Sequence, residues 1–476
     1  MVVNGQNITT ITIYVDLASL NISTLCGFDY DTNSACPNIS AAINSYRSLP
    51  NQPLTNTILN IALAGGQYCG LDGNSGLNVN YLNVTIGPSP YNTQGEVIID
   101  LYHPPTNKYS DGFFIYMVSA SVCTPQTNIT LNNLTLTNGT KGINSMNNNV
   151  NIILNNVTIT NMVTSSQFNY VIYLAPPYKP CYLGQPLPTL TIQGGGIFNS
   201  GLPNSDVDLI NVESSSLTIS NYGFYNNTAN TLISTFSGHV SIEGSTFQNN
   251  SITRQLLWIC ALNGTSLIAV DNSTFIDNHG VWTFGNEYLS LVYIMSGNFT
   301  INNSMFINNN NYSFLISVDS RNLSITGSTF ANNSLINDPY ETVLISIDAT
   351  FVIDNTTFKD NTASTELVLI WSHGTLSNVV FGNVDGLEGS AIECQGGYAL
   401  TVNDIDNHLG RNLFGCHQSM FEKCNIQGNF HLSCPMKEGE LIGIVVGSVC
   451  GLLAIIIITI LLVKKYKKRN QYKAIQ

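Results

Sequence analysis

The chain has 476 residues, of which 43% are hydrophobic and only 9% charged, with a formal net charge of −13. So much apolar material, laid out with period two, excludes a disordered body. Of the 16 Lys and Arg, six follow residue 463, which leaves ten basic residues against 29 acidic ones. That balance repels nucleic acid and polyuronates alike.

Ile13-Tyr-Val-Asp16 reads as a first strand. Cys36-Pro-Asn-Ile-Ser-Ala-Ala-Ile-Asn44 reads as a short amphipathic helix, with Ile39, Ala42, Ile43 and Tyr46 as its buried stripe. Cys26 and Cys36 flank this helix and could bridge. Leu59 to Tyr68 and Leu82 to Gly87 read as the next strands. A phrase of about eleven residues then recurs, with alternating aliphatics, an Asn or Gly turn, a Phe and more Asn. It stands at Val240 to Asn250 around Phe247 and returns around Phe275, Phe306, Phe330 and Phe358. Phe224 and Phe381 keep it more loosely, and Leu136 and Ile159 occupy the Phe slot earlier.

The slots lie roughly 23 to 31 residues apart, a solenoid interval, and each copy is too short to bury its own apolar face. Period two is strand spacing, and the Ile, Val, Thr and Phe content suits a pleated surface. Asn-Asn, Asn-Gly and Gly-Ser between the runs accept left-handed backbone angles. About 24 residues hold three short strands and three turns, one coil of a parallel β-helix. Roughly a dozen coils at about 4.8 Å each predict a rod near 55–60 Å long.

The opening strand, the helix, Leu59-Asn-Ile-Ala-Leu-Ala-Gly-Gly-Gln-Tyr68 and Leu82-Asn-Val-Thr-Ile-Gly87 resemble the start of right-handed parallel β-helix proteins of the pectate-lyase-like superfamily. The likeness covers roughly residues 12–400. It implies an all-β right-handed parallel β-helix whose first coil is plugged by the helix. The Phe repeat also resembles passenger repeats of chlamydial polymorphic outer-membrane adhesins, an analogy of architecture alone.

Residues 1–110 are expected to form the cap and first coils, 111–392 the repeats, and 393–438 a Cys-containing neck. Cys394, Cys416, Cys424 and Cys434 crowd that neck, where disulfides would staple a cover over the last open strand edge in an oxidising compartment. Residues 441–463 contain no charge and have the length of a spanning helix. Gly443, Gly447 and Gly451 lie four apart on one face of it, a spacing that lets two helices approach closely. Lys464, Lys465, Lys467, Lys468 and Arg469 follow, which places the tail, 464–476, in the cytosol and the body outside or in a lumen. The first thirty residues show neither a basic start nor a continuous apolar run, so a signal segment is expected to be missing from this sequence. Without one, the chain would insert as a tail anchor with its body in the cytosol.

About eighteen Asn-x-Ser/Thr sequons occur, among them Asn83, Asn128, Asn226, Asn249, Asn298, Asn322, Asn332 and Asn355. Several fall in the turn after the Phe slot, which would project outward.

Catalytic signals are sparse. The sets of carboxylates that polygalacturonase-type relatives use are absent, and Ser237-Gly-His-Val240 keeps only a fragment of one element. Asp271, Asp277 and His279 come nearest to a constellation, with Asp348 and Asp354 in similar places further on. Asp, however, ends strands and starts turns as Asn does, and His239 reads as a surface corner residue. No phosphate loop or metal spacing appears, so no cofactor is expected. The sequence therefore favours a non-catalytic single-pass glycoprotein of the plasma or endo-lysosomal membrane. Recognition or adhesion along the coil faces, or a glycan coat, would be its role, with polysaccharide as the preferred ligand. The alternative is an anchored polysaccharide lyase or glycoside hydrolase with an atypical site.

Tyr472-Lys-Ala-Ile475 resembles the tyrosine-based sorting signals that clathrin adaptors read, docking as an added strand with Tyr472 and Ile475 in separate pockets. The competing reading is a basic stub on anionic lipid. Tyr472→Ala should abolish uptake of the full-length protein from the cell surface in an antibody-internalisation assay. Unchanged uptake rules the sorting signal out.

Overall fold

The computed structural model describes residues 8–428, apart from 51–56, 92–94, 103–112, 119–125, 148, 164–169, 176–187, 202–207, 214–215, 262–265, 282–288, 336–342, 363–365, 383, 386–390, 395–397 and 408–424, together with Thr459, Leu462 and Val463. Two compact units divide it, one comprising Met1–Gly415 and Ser419–Phe430, the other Cys416–Gln418 and His431–Gln476.

The first unit is an all-β parallel β-helix. Its strands pair only in parallel and sort into three long faces, with a short further ladder between faces B and C made of His279–Gly280, Asn310–Tyr312, Ser334–Leu335, Asn361–Thr362 and Val384–Asp385. Face A carries fifteen strand segments, from Thr9–Val15 to Asn425–Gly428. Face B carries thirteen, from Gly66–Cys69 to Asp406–Asn407. Face C carries eleven, from Phe113–Val118 to Ile392–Cys394. Fourteen steps of about 4.8 Å give roughly 67 Å, longer than the dozen coils expected. The reason is that coiling begins at Thr9 and runs past residue 392 into the stretch read as a neck.

The helix Ile39–Arg47 covers the first coil. Asn38 caps it, accepting the Ala41 N–H at 2.8 Å, and Ile39, Ala42, Ile43 and Tyr46 are buried as their spacing requires. Cys26 and Cys36 form a disulfide. Both precede the helix instead of flanking it, since Cys36 lies beside Val15 at the end of the first strand.

The Phe slot is the spine of face B. Phe224, Phe247, Phe275, Phe306, Phe330, Phe358 and Phe381 are fully buried, with successive ring centroids 4.6–5.2 Å apart and planes within 11° of parallel. Such separations suit offset stacks. Below Phe224 the column continues through Ile197, Ile159, Leu136, Ile99 and Tyr68. Two residues after each of the first six Phe the chain turns in the left-handed region, at Asn226, Asn249, Asp277, Asn308, Asn332 and Asp360, with φ between 53° and 56°. Asn and Asp tolerate that region where most L-residues do not.

The next residue points inward. Asn227, Asn250, Asn278, Asn309, Asn333 and Asn361 are buried and form a continuous ladder. Asn250 donates both its backbone N–H (3.1 Å) and its Nδ2 (2.9 Å) to Asn278 Oδ1, while Asn278 Nδ2 also donates to the Phe247 carbonyl at 2.9 Å. Ser245, Ser273, Ser304 and Ser328 form a second ladder at the corner between faces A and B, each Oγ accepting a backbone N–H from the coil before.

Cys416, Cys424, Cys434, Gly443, Gly447, Gly451, Tyr472 and Ile475 lie outside the described residues, as does nearly all of 441–463. Of that segment Thr459, Leu462 and Val463 are described, helical and exposed. Among the described residues no helix is long and apolar enough to cross a membrane. Cys394 ends a face C strand; its side chain is outside the description.

Asn278→Ala would strip partners from three buried groups, the Asn250 N–H, the Asn250 Nδ2 and the Phe247 carbonyl. At about 1–3 kcal/mol per orphaned buried group, the loss should be at least about 3 kcal/mol. Asn308→Gly, on the exposed left-handed residue of the next coil, should stay within about 0.5 kcal/mol of wild type. Chemical denaturation of both variants checks the contrast; equal effects would mean the ladder does not hold the coils together.

Candidate functional site

Asp271, Asp277 and His279 share a coil but not a site. Asp271 closes the face A strand Leu267–Asp271 and accepts Asn302 Nδ2 at 2.7 Å. Asp277 is the left-handed corner residue, and its Oδ1 accepts Asn308 Nδ2 at 3.1 Å. His279, past that corner, meets Asn310 Oδ1 and Asn311 Nδ2 on the next coil. Each is engaged by an Asn one rung on, as Asn residues at equivalent stations engage one another. Asp354 likewise accepts Asn378 Nδ2 at 2.9 Å, and Asp348 aligns with Asp319. His239 is exposed at the start of a face A strand. Among the described residues no three His, Cys, Asp or Glu side chains gather as metal ligands would.

The sequons occupy several stations. Asn83, Asn128, Asn298 and Asn322 sit on outward positions of face A, where Asn128 Nδ2 donates to Asn83 Oδ1 and Asn322 Nδ2 to Asn298 Oδ1 at 2.7 Å. Asn226, Asn249 and Asn332 are exposed left-handed corners after the Phe slot, and Asn355 is an exposed corner between faces A and B.

The strongest chemistry lies on face C, for a reason built into its strands. In six successive coils two neighbouring aliphatic residues are both buried, Val171-Ile172, Leu209-Ile210, Leu232-Ile233, Leu256-Leu257, Leu291-Val292 and Leu315-Ile316. Strict alternation fails there, so residues three apart, not two, share the side away from the core, where Tyr116, Tyr173, Trp258, Tyr293 and Ser317 reach solvent while Asn144, Asn211, Thr231, Ser234 and Ser290 are buried. Tyr170 and Tyr173 bracket one such pair and stack at 4.6 Å with planes 16° apart. Phe113 and Tyr116 likewise bracket the buried Phe114-Ile115, with centroids 5.0 Å apart. Asp208 and Asn211 bracket the pair on the coil directly after the stacked tyrosines, in register with Tyr170 and Tyr173.

This placement brings Asn211 Nδ2 within 3.4 Å of both Asp208 Oδ2 and Ser234 Oγ. Burial pushes the Asp208 carboxyl up to about 6, against the opposing pull of Asn211, Thr231 and Arg254. Burial also raises Glu213, and it raises Tyr170 with help from the charges of Asp208 and Glu213. Asp208 Oδ1 and Asn211 Oδ1 are buried with no hydrogen-bond partner, and so is Asn144 Oδ1 two coils earlier on the same outward row. Buried acceptors without donors are rare and mark a place where a donor belongs. The i+3 row of face C runs Tyr116, Asn144, Tyr173, Asn211, Ser234, Trp258, Tyr293, Ser317, with amides and hydroxyls set among aromatic rings. Flat rings beside hydroxyl acceptors suit sugar rings and their O–H groups.

A separate groove of about 360 Å³ lies on face A, lined by Leu267, Asn298, Thr300, Asn322, Ser324 and Val352 among others. Its walls carry no ionisable side chain, so the chemistry stays on face C.

No family model matches this sequence, and no curated protein matches it. Among solved structures, the crystal structure of GH136 lacto-N-biosidase from Eubacterium ramulus is similar at 9% identity and a TM-score of 0.27, over 87% of this chain and 67% of that one. A likeness so slight says nothing about chemistry. The class is thus set by the fold alone: a parallel β-helix solenoid.

The raised Asp208 has a sign that can be measured. The folded chain retains a proton that the unfolded chain releases between about pH 4 and 6, so stability present at low pH is lost as pH climbs through 6. The full penalty is on the order of 3 kcal/mol. Asp208→Asn should therefore be more stable than wild type at pH 7.5, and the gap should close below pH 4. Thermal melts across that range check it.

Proposed function

We propose that this chain is a single-pass, type I membrane glycoprotein whose right-handed β-helix binds an extended, neutral polysaccharide along face C without cleaving it. The observation that carries the reading is the Asp208–Asn211 pair, with its unpartnered buried acceptors, set against the stacked Tyr170–Tyr173 rings. A row that repeats at about 4.8 Å per coil suits a polymer better than a single small ligand. Neutrality follows from 29 acidic residues, which disfavour polyanions. Right-handed winding follows the general preference of parallel crossover connections. The uncharged segment 441–463 and its basic flank support the anchor, and the sequons and the Cys26–Cys36 disulfide support a lumenal or extracellular body. Surface recognition or adhesion is the role these features fit, and the tail motif fits traffic through endosomes.

One observation favours a second reading. Asp208 keeps a proton to about pH 6, as the general acid of a glycoside hydrolase must, and Glu213 supplies a second carboxyl on the same strand.

Purified ectodomain incubated with a panel of neutral polysaccharides separates the two. Wild type should be retained on at least one polymer, with Tyr173→Ala and Trp258→Ala each weakening retention about tenfold, or roughly 1.4 kcal/mol. New reducing ends would replace binding with hydrolysis, and Asp208→Asn should then abolish them. No retention on any polymer sinks the carbohydrate reading.

A further inference from the structure

Thirteen of the eighteen sequons stand at three kinds of station on the coil. Of the eighteen, five stand on the outward rows of face A, at Asn83, Asn128, Asn298, Asn302 and Asn322. Four occupy left-handed corners between faces A and B, at Asn133, Asn156, Asn272 and Asn355. Four occupy left-handed corners after face B, at Asn138, Asn226, Asn249 and Asn332. All eight corner residues are exposed. One more, Asn311, is an exposed left-handed residue on the short strand Asn310–Tyr312 that leads into face C. The eleven strands assigned to face C carry none. Asn144, Asn211 and Asn230 lie on them, but Met146, Glu213 and Leu232 stand where a sequon needs Ser or Thr.

The corners have a physical reason to hold projecting Asn, because the left-handed turn selects it. Face A has no such demand. Its outward rows could hold the aromatics that face C carries, yet they hold Asn-x-Thr and Asn-x-Ser instead. A glycan is bulky and solvating, so a strand row that bears one cannot also lie flat against a polymer.

We propose that N-linked glycans clothe face A and the two corners that bound face B, and that face C is kept bare as the side that meets the ligand. The identity of that ligand rests on the carbohydrate reading above; the one-sidedness of the coat does not.

Two measurements on the full-length protein from a glycosylating cell test the two halves separately. Hydroxyl-radical footprinting before and after enzymatic glycan release should show Leu267 and Val352, on face A beside Asn298 and Asn322, at least threefold more reactive after release. Tyr116 and Trp258 on face C should not change. Equal change on both faces, or no change on face A, overturns the proposal whatever the protein binds. In the second measurement a new sequon is placed on each face: Ser317→Asn with Asp319→Thr on face C, and His239→Asn with Ser241→Thr on face A. With occupancy confirmed by mass and folding by thermal melt, the face C glycan should weaken polysaccharide retention at least tenfold, and enzymatic release should restore it. The face A glycan should leave retention within twofold. Retention unaffected by a glycan at residue 317 overturns the assignment of face C. If wild type is retained on no polymer, the carbohydrate reading falls, and footprinting alone decides the coat.

Discussion

Every coil of this protein must place its polar groups where the coil before and the coil after can satisfy them. Parallel stacking in register makes that possible with one residue type: each buried Asn accepts from the preceding Asn and donates to the following one. At the start of the row, Asn227 Oδ1 is closed by the Ser200 N–H. A buried amide left alone would be expensive, and one in a filled ladder is not. The left-handed corner is the same constraint seen in the backbone, because it turns the next residue inward to join the ladder.

The same geometry accounts for the low charge. Residues in register lie about 4.8 Å apart, so a charge repeated along a column would face its like on both sides. Columns of Asn, Thr and Ser largely avoid this; acids meet in register at only a few places, Glu243 with Asp271 and Asp319 with Asp348, and an amide on the next coil engages Asp271 through Asn302. Many sequons are then a by-product of strand and corner chemistry, which puts Asn at turns and Thr in strands. Their distribution between faces is not, and it sets face C apart.

Face C departs from the rest of the coil in its strand geometry. Its doubled aliphatics are aligned from one coil to the next, so the kink propagates instead of being averaged away, and an outer row of aromatics, amides and one desolvated carboxyl results. These groups are only partly satisfied within the chain: Asn211 and Thr231 hold the Asp208 carboxyl, while Asp208 Oδ1 and Asn211 Oδ1 lack partners. A stable solenoid interior and a part-buried polar row with open acceptors can coexist because the ladders at the corners hold the coil independently of what face C carries.

Period two, the Phe slot with Leu136 and Ile159 standing in it, and the capping helix with its Ile39, Ala42, Ile43 and Tyr46 stripe were all legible in the chain. Each depends on local alternation or on a repeat, which a sequence carries openly. Asp208 was not legible. Alternation would place Asp208 and Asn211 on opposite sides of a strand, and only the aligned kink of neighbouring coils puts them on the same side. A signal was there in retrospect: Tyr170-Val-Ile-Tyr173, Asp208-Leu-Ile-Asn211, Thr231-Leu-Ile-Ser234, Gln255-Leu-Leu-Trp258, Ser290-Leu-Val-Tyr293 and Phe314-Leu-Ile-Ser317 share one pattern. Asp271, Asp277 and His279, close in sequence, were separated by the corner that stands between them. What the sequence settled by itself was the repeating cross-section, since side-chain period and turn chemistry act within one coil. Which side chains meet was decided by the stack, because register between coils is a property of the folded solenoid and of no single coil.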